Sequence, residues 1–195
     1  MRMKRILVAI VGVSPLIMNA FSDAAAESAS EGSRASAAAV DRGSAAEQCE
    51  ARLYIGEDGQ IIMPQPNLFS CIVAAGTFYK SGRSKLTTQR GSLLPGCMFF
   101  DELYYALKSK DGWSVDTRPV RIPATGGRIL RHRPIFHDWS IDFELMIDSD
   151  ELALGLAREV VDAAGRKIGL GDFRPQTKGP FGRFRVDLWQ VTDEI

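Results

Sequence analysis

The chain has 195 residues, 45% hydrophobic and 25% charged, which suits one domain that buries its own core and needs no staple. A formal net charge of zero argues against a uniformly basic polyanion binder. Three cysteines, Cys49, Cys71 and Cys97, have no CxxC spacing, so they point to neither a disulfide framework nor a zinc site and read as buried free thiols. No cofactor is expected.

The zero average hides strong zoning. Five arginines and no acid lie between Arg118 and Arg133, and six basic residues face the lone Asp172 between Gly165 and Val186. Acidic residues gather in Asp138 to Asp162, so an anionic partner is expected to meet one face of the fold.

Arg2, Lys4 and Arg5 precede the apolar run Ile6 to Val13, and Ala24-Ala25-Ala26 resembles a cleavage site, which together imitate a secretory signal. That alternative predicts a secreted or periplasmic interaction protein with the first 26 residues removed. Gly12, Ser14 and Pro15 break the run, and its β-branched content favours a strand buried on both faces in a cytoplasmic protein. No run reaches the roughly 18 apolar residues of a membrane span, so no membrane partner is expected.

Ser22 to Gln48 is Ala, Ser and Gly with a few charges, a flexible insertion or linker within a single domain of residues 1–195. Its end, Ala45 to Leu53, is expected to turn helical on docking. Arg52 to Ile55 and Gln60 to Met63 read as a hairpin turned by Glu57-Asp-Gly59. Asn67 suits a helix N-cap, followed by Leu68, Cys71, Ile72, Ala75 and Phe78 at helical spacing. Leu93 to Phe100 suits a strand, although Phe99, Leu103, Tyr104 and Leu107 also suit a short helix.

Trp113 to Pro123 and Gly127 to Arg133 read as an arginine-bearing hairpin around Ala124-Thr-Gly-Gly127. Trp139 to Ile147 alternates as an amphipathic strand. Asp148 or Ser149 caps a helix lined by Leu152, Leu156, Val160, Val161 and Ala164, and Phe184 to Val191 is the closing strand.

The segment Gly165 to Arg185 combines five glycines with six basic residues. Glycine lets main-chain N–H groups approach a phosphate, while Arg and Lys neutralise it. The expected contacts to nucleic acid are Arg128, Arg131, Arg133, Arg166, Lys167, Gly169, Gly171, Arg174, Lys178, Gly179, Gly182 and Arg183. Phe173, Phe181 and Phe184 are candidates to stack on bases of a single strand, although at least one should be core. Gly169-Leu-Gly171 fits neither the dinucleotide fingerprint nor the P-loop. His132, between Arg131 and Arg133, is a candidate general acid or base of an endoribonuclease, against a simpler phosphate or solvent contact. His137 with Asp138 has no spaced third ligand, so no metal site is expected.

The order of elements resembles the α+β, ferredoxin-like βαββαβ arrangement of RNA-recognition domains, with an antiparallel sheet. Val11-Gly-Val-Ser-Pro-Leu-Ile-Met, Ile61-Ile-Met-Pro-Gln-Pro-Asn-Leu and the loop Gly169 to Arg183 resemble, in that order, segments of the RAMP superfamily, whose members form RNA-binding subunits of CRISPR effector complexes. The Gly-Leu-Gly-Asp-Phe-Arg-Pro to Gly-Pro-Phe-Gly-Arg-Phe stretch is also similar to phage-encoded proteins. What the resemblance implies is binding of guide RNA or other single-stranded RNA, beside copies of itself or other ribonucleoprotein subunits.

Overall fold

The β-branched run Met3–Gly12 forms strand β1, and after a turn at Ser14-Pro15 the two residues Leu16–Ile17 form β2. The computed structural model describes residues 2–21, 43–121 and 126–194. Most of the Ala/Ser-rich insertion, and Ala124 and Thr125 of the expected hairpin turn, lie outside the described residues.

Helix α1, Ala45–Glu50, starts in a capping box: the Glu47 N–H donates to Ser44 Oγ at 3.3 Å, and the Ser44 N–H donates to Glu47 Oε2 at 2.7 Å. Strand β3, Ile62–Pro64, leads into α2, Gln65–Ala75. The exposed hairpin β4 (Lys80–Ser81) and β5 (Ser84–Lys85) follows. The ambiguous stretch resolves into a single turn, α3 (Leu94–Cys97), running straight into β6 (Met98–Phe100), with β7 (Tyr104–Ala106) beyond it. Then come the long hairpin β8 (Ser114–Arg121) and β9 (Arg128–Phe136), strand β10 (Ser140–Asp148), helix α4 (Leu154–Ala163) and β11 (Phe184–Glu194).

The main sheet is antiparallel, in the order β11-β1-β10-β6. On its inner face Ile6, Val8 and Ile10 stand beside Ile141, Phe143, Leu145 and Ile147, all buried against Leu68, Cys71 and Ile72 of α2 and Ala157, Val160 and Val161 of α4. Each such aliphatic side chain contributes about 1.5–3 kcal/mol by leaving water. A second sheet, β2-β9-β8, carries the hairpin away from this core, and α1 docks on it with Cys49 buried.

Several expectations need correction. Leu7, Ala9 and Val11 are only half covered, so β1 is buried on one face rather than both; its alternation gives the other face partly to solvent. The hairpin expected at residues 52–63 shrinks to the single bridge Ile55 to Ile61, because β3 pairs with β7 instead. α2 starts two residues before Asn67, with Pro66 in its first turn, where a missing N–H costs nothing. Asp148 and Ser149 hold a turn and the chain start, through Arg2 N–H to Asp148 Oδ1 at 3.1 Å and Ser149 Oγ–H to the Arg2 carbonyl at 3.0 Å, while α4 begins at Leu154. Gly165, Arg166 and Lys167 belong to a π-helical turn, Ala164–Ile168, that prolongs α4 rather than to the loop.

Candidate nucleic-acid interface

The segment after α4 folds back on the β1–β2 connection as a clasp. The Leu170 N–H donates to the Gly182 carbonyl at 2.9 Å, the Gly182 N–H to the Pro15 carbonyl at 2.8 Å, and the Asp172 N–H to the Ile17 carbonyl at 2.8 Å. These crossings leave no space for side chains: a Cβ on Gly182 would lie 1.8 Å from the Leu170 oxygen, and one on Gly179 would lie 1.7 Å from that of Phe173. The expectation that glycine amides cradle phosphate is corrected here. Those of Gly169, Gly179 and Gly182 already donate to the Ala164, Arg174 and Pro15 carbonyls, and a committed N–H is not open to an anion. Gly171, with φ near +71°, sits against the Ile17 carbonyl for the same reason of close approach.

The expected basic residues divide into two groups. Arg133 is 8% exposed and locked to carboxylates, with Nη1 2.6 Å from Asp172 Oδ2 and Nη2 3.7 Å from Asp116 Oδ2, while its buried Nε has no hydrogen-bond partner. Arg174 donates from Nη1 to the Gly171 carbonyl at 2.8 Å, and from Nε and Nη2 to Gln176 Oε1 at 3.1 and 2.9 Å. Both therefore brace the fold, and the expectation that they contact phosphate directly is corrected on that ground. Arg128, Arg166, Lys167, Lys178 and Arg183 are exposed, with Lys167 Nζ 4.2 Å from the centre of the exposed Phe78 ring. Phe181 and Phe184 are buried, which leaves Phe173, 40% exposed, as the one of the three aromatics able to stack on a base.

Strand alternation sorts the hairpin. Asp116, Arg118, Arg131 and Arg133 share its inner face, while Thr117, Arg121, Arg128 and His132 share its outer face. Arg118 pairs with Asp116 at 2.8 Å and lies 4.8 Å from the centre of the Phe181 ring. Burial, and then the charge of Arg133, push the Arg131 guanidinium below its ordinary pKa; the same two causes act on Arg52, which donates to Asn19 Oδ1 at 2.8 Å. On the outer face Arg121 stands directly opposite Arg128, and neither meets a carboxylate among the described residues. Like charges in direct opposition repel, and an anion laid across them relieves that repulsion.

Arg52, Asp116 and Asn19 carried no site signal in the sequence, and Arg118 and Arg121 entered it only as members of the five-arginine zone. His132 Nδ1 is 2.8 Å from Thr117 Oγ1, and its flanking Arg131 and Arg133 point to the other face. Those two arginines therefore do not stand on the His132 side of the hairpin. Asp138 accepts from the Lys110 N–H at 2.8 Å and Ser109 Oγ–H at 3.0 Å, and among the described residues no three His, Cys, Asp or Glu side chains converge as a metal would require.

Two hollows open among the described residues, one of them beside this region. One, of about 420 Å³, opens between α2 and the clasp and is lined by Asn19, Asn67, Ser70, Asp172, Arg174 and Gln176 over a floor that includes Met18 and Met63. The other, of about 440 Å³, lies against the main sheet beside Asp101, Glu102, Asp142 and Glu144. No helix among the described residues is long and apolar enough to cross a membrane.

No protein-family model matches the chain, and no curated protein does. Among solved structures it is similar to a chain in a cryo-EM structure of the Type III-B Cmr-beta bound to cognate target RNA, with a TM-score of 0.57 and 10% identity. The match covers 98% of this chain but 61% of that one, so the chain spans about three fifths of its neighbour's length. At that identity the likeness shows the fold alone, an α+β architecture.

Proposed function

We propose that the protein binds single-stranded nucleic acid, RNA for preference, along the β8–β9 hairpin and the adjoining clasp, as a non-catalytic, RAMP-like subunit of a CRISPR-like ribonucleoprotein assembly in the cytoplasm. The observation that carries this reading is the joint between the two basic segments. The Arg133–Asp172 pair, the Arg118–Phe181 contact and the small apolar cluster Ile17, Ile135 and Phe181 hold strands β8 and β9 and residues 166–183 together, so one polyanion can touch both. The order β11-β1-β10-β6, with α2 after β1 and α4 after β10 along the chain, fits a ferredoxin-like βαββαβ core. The neighbour's bound target RNA fits the ligand class.

Asp101, Glu102, Asp142 and Glu144 lie beside the main sheet, with Arg5 and Lys108 paired to only two of them, so this route suits the RNA better than the sheet face on which RNA-recognition domains stack bases. Partner subunits, copies of this chain among them, belong to the same reading.

Binding of a labelled single-stranded RNA, followed by fluorescence anisotropy over a salt series, tests it. Each backbone contact contributes about 0.7 to the slope of log K against log salt. Arg128→Ala combined with Arg183→Ala is expected to lower both affinity and slope. No affinity for any oligonucleotide at low salt would remove the proposal.

A further inference from the structure

The hollow between α2 and the clasp has the make-up of a site for a flat, polar-edged ring. Its size, about 420 Å³, lies within the usual range for small-ligand clefts of roughly 300–1,000 Å³. Its floor includes the buried thioethers of Met18 and Met63, soft and apolar, and its rim is amide, hydroxyl, guanidinium and the carboxylate of Asp172, the last already held by Asn19 and Arg133. Arg174 belongs to that rim and is fixed by three hydrogen bonds, so its planar group offers a rigid stacking surface.

Asn67 differs from every other amide there. The Asn19 amide is engaged at both ends, accepting from Arg52 and donating to Asp172 Oδ2 at 3.2 Å, and Gln176 accepts twice from Arg174. The side chain of Asn67 has one contact, Nδ2 to Met63 Sδ at 3.8 Å, a weak acceptor. Its carbonyl and amide ends therefore remain available as a bidentate pair, the match to the N6/N7 edge of adenine.

We infer that this cleft holds one adenine-type base of the bound strand, read by Asn67 and stacked on Arg174, so that a backbone binder gains selectivity at one position. The inference rests on the proposed single-strand binding, and it adds a choice of base that phosphate contacts cannot make.

Two measurements on the full chain test it. In the first, labelled oligo-A, oligo-C and oligo-U of equal length are compared by anisotropy at one salt concentration. The expected result is tightest binding of oligo-A, with the preference reduced about fivefold or more in Asn67→Ala and the salt slope unchanged. Because Asn67 is half-buried, the exposed Ser70→Leu variant, which crowds the cleft while keeping the Asn67 amide, is expected to act in the same way.

The second measurement titrates AMP and UMP and follows backbone amide resonances, with AMP expected to shift those of Asn67, Ser70 and Gln176 more strongly. Equal binding of all three oligonucleotides, or a preference that survives both variants, overturns the base pocket and leaves the proposed function standing. Failure to bind any of them overturns both.

Discussion

Single residues show how far the clasp depends on missing side chains. At Gly182, φ is near +68° and the Leu170 oxygen occupies the place of a Cβ, so Gly182→Ala combines a strained backbone with a collision. A loss of about 3 kcal/mol or more is expected in urea unfolding. Asp172→Ala leaves the Arg133 guanidinium buried with only the longer contact to Asp116, and a similar loss of about 3 kcal/mol follows. Replacing both, as Asp172→Leu with Arg133→Met, should cost less than the sum of the two single changes, and a double-mutant cycle measures the difference. Cys71 lies where α2 meets the start of the clasp. Burial pushes its thiol up to about 12, and it donates to the Gly169 carbonyl at 3.2 Å. Iodoacetamide at mildly alkaline pH should leave it unlabelled until the protein unfolds, as a mass-spectrometric time course would show.

At the scale of elements, the loop before β8 is pinned by one carboxylate. The Lys110 N–H is the main cause that holds Asp138 below the usual aspartate pKa; desolvation opposes it, and the Ser109 hydroxyl adds a smaller lowering contribution. A folded pKa below the unfolded one means the contribution is full above the ordinary carboxylate range and disappears as pH falls through the lowered value. Melting temperatures of the parent protein and Asp138→Asn should therefore converge below about pH 4 and diverge above it.

Elements with strong periodicity were legible in the sequence: β1, β10, β11, the β8–β9 hairpin and the apolar faces of α2 and α4. What was not legible depended on partners far along the chain. Gln60 to Met63 carries a hairpin pattern, yet β7 captures Ile62 and Met63. Gly179 and Gly182 look like an anion cradle until the Phe173 and Leu170 carbonyls are seen to fill their Cβ positions. Arg133 looks like a phosphate ligand until Asp116 and Asp172, 17 positions before it and 39 after it, come within reach. Composition identified a basic segment, but only tertiary contacts divide its arginines into braces and free surface.

For the molecule as a whole, a net charge of zero is reached by segregation. Carboxylates ring the hollow on the main sheet, and Arg121, Arg128, Lys178 and Arg183 are exposed on the hairpin and the clasp. Affinity for a polyanion should fall steeply with salt although the protein as a whole is neutral, and Arg121→Ala with Arg128→Ala should lower the salt slope by about 1.4 if each arginine holds one phosphate.

The placement of β1 has a consequence for biosynthesis. Both of its neighbours in the sheet, β10 and β11, are encoded more than a hundred codons downstream. At about 5–20 residues per second, the ribosome leaves this apolar strand without its hydrogen-bonding partners for many seconds. Closure of the sheet must then wait until translation has passed Phe184, so a nascent chain stalled before that point would expose a sticky edge and become a client for chaperones.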